Sequence, residues 1–93
     1  MIRSFRDKRT EALARGRAPR NIPADVARRA VNKLFLLDTV TRLEDLRAPP
    51  GNRLEALSGD RRGQHAIRVN DQWRICFVWR DGDPHEVEFV DYH

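Results

Sequence analysis

Long apolar runs are missing from this chain. Nothing approaches the roughly 18 consecutive apolar residues that a membrane span needs, so no membrane role is expected. Cysteine is nearly absent: the single Cys76 cannot close an internal disulfide, which fits a reducing compartment. Histidine is sparse, and His65, His85 and His93 with one cysteine give no zinc-ligand spacing. None of the five glycines builds a phosphate-cradling loop. Neither a metal nor an organic cofactor is therefore expected. The opening Met1-Ile2-Arg3-Ser4-Phe5-Arg6 has no apolar signal core, so the expected location is the cytoplasm. Lysine is scarce as well, since sixteen of the eighteen cations are Arg.

What is present suffices for one core. At 93 residues the expectation is a single domain over residues 1–93. Two Trp, four Phe and many Leu, Ile and Val keep the chain out of the disordered class although 34% of it is charged. The formal charge of +4 is unevenly spread. Residues 1–42 hold eleven bases and four acids; residues 43–93 hold seven bases and ten acids. Arginine's planar fork matches phosphate, which points to nucleic acid. A GC-rich coding sequence gives the same bias, and composition does not decide between the two.

Periodicity divides the chain in the same place. Residues 2–5 alternate as a short strand. Asp7 caps a helix expected to run to about Arg15, with Gly16 as its stop. Pro23 and Asp25 open a second helix, where Val26, Ala27, Ala30, Val31, Leu34 and Leu37 keep helical spacing and Arg28, Arg29, Asn32 and Lys33 fall opposite. Residues 43–47 form one helical turn, and Pro49-Pro50-Gly51-Asn52 breaks the chain. The period then drops to two. Strands are expected at residues 53–57, around His65, Ile67 and Val69, at residues 73–80 and at residues 85–92, with hairpin signals at Asn70-Asp71 and Asp81-Gly82. The fold class is α+β: a short N-terminal strand, two helices, then a four-stranded antiparallel meander with the helices on one sheet face.

In the third strand Trp73, Ile75, Phe77 and Trp79 take one face, expected to be core, and Arg74, Cys76, Val78 and Arg80 the other. Tyr92 shares parity with Glu88 and Val90. Pairing of the last two strands then brings Asp91, Tyr92 and His93 toward Arg74. A cation, a phenol, an imidazole and a carboxylate suit RNA cleavage through the 2′-hydroxyl. His moves protons near neutral pH, Tyr contacts a phosphate oxygen, and Arg steadies the charge of the transition state.

The ordered set Ile2-Arg3-Ser4-Phe5, Lys33-Leu34, Pro49-Pro50-Gly51-Asn52-Arg53-Leu54-Glu55, Gly59-Asp60-Arg61, Ile67-Arg68-Val69-Asn70-Asp71-Gln72-Trp73-Arg74-Ile75 and terminal Val90-Asp91-Tyr92-His93 resembles the HigB branch of the RelE/ParE toxin superfamily. The resemblance runs end to end. It implies a RelE-like fold and a type II toxin that cuts mRNA in the ribosomal decoding site without a metal. Arg74, Asp91, Tyr92 and His93 are then the catalytic group. The implied partners are the ribosome, mRNA and a HigA-like helix-turn-helix antitoxin, with operator DNA reached only through that antitoxin.

One departure bears on activity. Glu55 and Ser58 stand where some nucleolytic relatives carry His and Lys. Arg53, Arg61, Arg62 and Arg68 are the cations expected to meet RNA in compensation. Glu55 reads either as a base or as a plain surface carboxylate. The alternative function is a non-cleaving ribosome- or RNA-binding protein that works mainly through its antitoxin-repressor partner. In the basic half, Arg15, Arg17, Arg20, Arg28 and Arg29 read equally as a ribosome contact and as a solvated helix face.

Overall fold

The computed structural model describes residues 1–92. Helix α1, Lys8–Ala14, starts where Asp7 accepts a 2.7 Å hydrogen bond from the Thr10 amide. It ends at Ala14, and the φ of 84° at Gly16 just beyond lets the chain reverse and the Arg17 amide reach the Ala12 carbonyl at 2.9 Å. Helix α2, Ala24–Thr39, follows Pro23 and carries Asp25 in its first turn. Its buried stripe is Val26, Ala27, Ala30, Leu34 and Leu37, as the spacing predicts.

Two 3-10 turns, Leu43–Arg47 and Pro50–Asn52, lead into the sheet. Asn52 is fully buried and organises this connection. Its amide nitrogen donates to the carbonyls of Leu46 and Ala48, both at 3.1 Å, and its Oδ1 accepts from Lys33 Nζ. The strands are β1 Glu55–Ala56, β2 His65–Arg68, β3 Trp73–Arg80 and β4 Asp83–Asp91, antiparallel neighbours in sequence order. Asp81 and Gly82, with φ of 54° and 80°, make the two-residue turn between β3 and β4 that their identities predict.

The helices cover one sheet face. Ile67, Ile75, Phe77, Val87 and Phe89 meet Leu13, Leu34 and Leu37 there, all buried. Trp73 stacks on Phe89 at 4.5 Å between centroids, and the Arg9 guanidinium lies 5.6 Å from each ring. Arg9 also donates to the Phe89 carbonyl at 2.7 Å, and the Phe89 amide donates to Thr10 Oγ1 at 2.9 Å. Side chains of α1 thus take up backbone groups of β4.

Three expectations are corrected. Residues 2–5 form no strand of their own; Phe5 makes one parallel bridge to Val87, flanked by Arg3–Pro84 and Arg6–Val87 backbone bonds of 2.9 Å. The short segment covers the β4 edge but turns into α1 before a ladder develops. β1 spans two residues, not five, because Arg53 leaves the preceding 3-10 turn with φ of 45° and is not extended. Trp79 is only partly buried, near the hairpin end. Between Cys76 and Val78 the β3–β4 register also shifts, at a bulge holding Glu86 at φ of 52°.

Candidate active site

Strand register sorts the polar side chains of the open face into rows. Glu55, Ala66, Cys76 and Glu88 lie opposite one another across four strands. The next row is Arg68, Arg74 and Val90. Tyr92 continues the parity of Glu88 and Val90 past the end of β4, as the alternation predicts.

Arg74 and Tyr92 meet. The Arg74 guanidinium carbon lies 5.3 Å from the Tyr92 ring centroid, a cation–π arrangement. Arg74 Nη1 donates to the Asn70 carbonyl and, at 3.1 Å, to the Trp73 carbonyl. Tyr92 is 39% exposed, so the pair faces solvent while its backbone is held: the Tyr92 amide donates to the Gln72 carbonyl at 2.6 Å. Asp91 stands opposite Trp73 and accepts from Gln72 Nε2 at 3.0 Å. Asn70 shapes the turn that does this, since its Oδ1 accepts from the amides of Gln72 at 2.9 Å and Trp73 at 2.8 Å. His93 lies outside the described residues.

Arg61 arrives from the 3-10 turn Gly59–Arg61. It pairs with Glu88 at 3.1 Å and with Gln64 Oε1 at 3.1 Å, and joins Val90, Asp91 and Tyr92 around an open pocket of about 320 Å³. Partial burial works against the Arg61 charge; the Glu88 hydrogen bond, with the nearby Cys76, Glu88 and Tyr92 groups, outweighs it and holds its pKa above the ordinary value. Beneath it Cys76 is fully buried although it belongs to the open face. Burial pushes its thiol up, Arg61 and Arg74 pull down, and Glu88 and Glu55 push up again. Cys76 is therefore held as the neutral thiol. Among the described residues no three His, Cys, Asp or Glu side chains converge on a metal position. The arrangement can hold a phosphate between fixed guanidinium groups and bring a phenol to it.

The family model described as RelE-like toxin of type II toxin-antitoxin system HigB matches residues 3–93. The chain belongs to the HigB-like toxin family. Toxin HigB-1 of Vibrio cholerae serotype O1 is 39% identical over 92% of this chain and 99% of its own length. Endoribonuclease HigB of Proteus vulgaris is 33% identical over the whole of both chains. An uncharacterized protein of Haemophilus influenzae is 29% identical over 77% of this chain and 70% of its own. The α+β fold with a four-stranded antiparallel sheet is consistent with the RelE-like family, and a type II toxin implies an antitoxin partner.

The remaining expected residues of this HigB-like chain divide by place. Arg68 pairs with Asp71, and the Asp71 carboxyl also feels Arg53 and Arg74, so these three arginines converge on the β2–β3 turn. Arg62 is exposed at the end of the 3-10 turn that carries Arg61. In the helical half Arg15 and Arg17 line a pocket with Lys8, whereas Arg29 lines another with Lys33; Arg20 and Arg28 are exposed. Glu55 is exposed on the two-residue edge strand. Sequence reasoning missed Asn70, Gln72 and Glu88 as partners of the site. Only the Asn70-Asp71 turn signal pointed that way.

Proposed function

We propose that this chain acts as one toxin domain in the cytoplasm: a ribosome-dependent, metal-independent mRNA endonuclease whose nucleophile is the substrate's own 2′-hydroxyl. The observation that carries the reading is the Arg74 guanidinium over the Tyr92 ring on the open sheet face. The name Endoribonuclease HigB on a full-length relative supports it.

In the proposed reaction the 2′-oxygen attacks the adjacent phosphorus and loses its proton. The bond to the 5′-oxygen breaks, and that oxygen gains a proton, leaving a 2′,3′-cyclic phosphate and a 5′-hydroxyl. Arg74, and Arg61 once released from Glu88, stabilise the charge on the equatorial oxygens. Tyr92 bonds a phosphate oxygen, Asp91 fixes the chain end through Gln72, and His93 carries the proton transfers. Arg53, Arg62 and Arg68 bind flanking RNA. A HigA-like antitoxin restrains the toxin and contributes the operator contact.

The test is a purified translation reaction with and without ribosomes, in chelator. Cuts within the message that need ribosomes and survive chelation are expected; cutting of free RNA alone, or none, counts against the reading. A second reading, ribosome or RNA binding without cleavage, draws on Glu55 and Glu88 in one row of the open face, two carboxylates close to where a phosphate must sit. Translation arrest with intact message is its signature.

A further inference from the structure

A second basic site lies against α2. Between α2 and the end of β2 lies a pocket of about 400 Å³, lined by Arg29, Asn32, Lys33, Gly51, Arg68 and Val69 among others. Three cations and an amide stand in this lining, with no carboxylate. Among the described residues neither Arg29 nor Lys33 forms an ion pair; Lys33 is held by the neutral Asn52 Oδ1. Arg68 in the lining shares its charge with Asp71 and stands opposite Arg74 in the β2–β3 register. Paired strands are ~4.8 Å apart, so the backbones of Arg68 in the pocket lining and of Arg74 run side by side.

We propose that this pocket is a phosphodiester subsite that grips the RNA backbone next to the bond held at Arg74. A positioned ammonium and two guanidinium forks, facing no carboxylate across the pocket, are suited to one phosphate. Burial, and then the charge of Arg29, pull the Lys33 pKa down, as expected of a cation crowded by cations and relieved by an anion. The Asn52–Lys33 bond fixes the ammonium before any ligand arrives. The inference rests on the nuclease reading only for the identity of the polymer.

The test uses amide NMR of the full chain, titrated with a single-stranded decamer carrying 2′-O-methyl groups, which binds without being cut, and separately with inorganic phosphate. The expected result is saturable shifts at the Gly51 and Val69 amides with the decamer. Arg29→Gln and Lys33→Met should each weaken that binding, with a plot of log affinity against log salt shallower by about 0.7 for each phosphate no longer neutralised. Arg29→Gln leaves the buried Asn52 network untouched, so its result stands even where Lys33→Met disturbs the fold. Shifts confined to the Arg74 and Tyr92 region, unchanged affinity in Arg29→Gln, or a response to inorganic phosphate alone would overturn the proposal. Failure of the nuclease reading shows separately, as absence of cuts in unmodified message.

Discussion

Arg74 sits on a strand whose neighbours Ile75 and Phe77 are buried, so its backbone is fixed by the core while its charge faces solvent. That separation predicts that Arg74→Ala leaves the fold intact and lowers the cleavage rate about 10²–10³-fold, the usual cost of removing one transition-state donor. Rates of message cutting alongside circular dichroism of the two proteins check it. The meeting of Arg74 and Tyr92 was legible in the sequence because alternation along β3 and β4 puts both on one face. The Arg61–Glu88 pair was not, since it joins residues 27 apart through a 3-10 turn whose direction no local pattern encodes. His65 makes a different prediction. Its ring stacks on Phe77 on the helix-covered side, and its Nδ1 is buried without a hydrogen-bond partner among the described residues. Burial pulls its pKa below the ordinary value of about 6.5. The unfolded chain then binds the proton more readily, so this contribution to stability is whole above that pH and is lost as pH falls through the folded value. His65→Gln should flatten the fall in melting temperature between neutral and mildly acidic pH; an unchanged slope would contradict the assignment.

At the scale of elements, the connection from α2 to β1 depends on Asn52. The Pro-Pro-Gly-Asn break was readable, but the burial of its last residue was not: turn chemistry announces that a chain reverses, not which side chain it folds inward. Asn52→Ala leaves the Leu46 and Ala48 carbonyls and Lys33 without their partner. The expected cost is about 1–3 kcal/mol, read as a melting temperature lower by roughly 4–8 °C for each kcal/mol. The N-terminal segment errs in the opposite sense. Alternation in four residues signalled a strand, yet Asp7 captures the Thr10 amide and starts α1, so a single bridge at Phe5 remains. The capping bond competes for the same stretch of chain and shortens it. β3 and β4 came out close to expectation because burial of Ile75, Phe77, Val87 and Phe89 leaves only one register that keeps them all inside.

For the whole molecule, the charge division turns out to be a division of surfaces. The basic half folds into helices that cover one sheet face; the acidic half supplies the open face, where arginines cluster among Glu55, Glu88 and Asp71. Under the proposed ribosome contact, in which arginines of both halves would meet phosphate, binding should weaken steeply with salt. Sedimentation with ribosomes across a salt series reads this, and an insensitive association would contradict it. The central claim, that the Arg74–Tyr92 face cuts message during translation, is tested most directly by mapping RNA 5′ ends in cells after induction. New ends within translated messages are expected for the parent chain and none for Arg74→Ala. Growth arrest with no new ends, or identical ends from both chains, would contradict it.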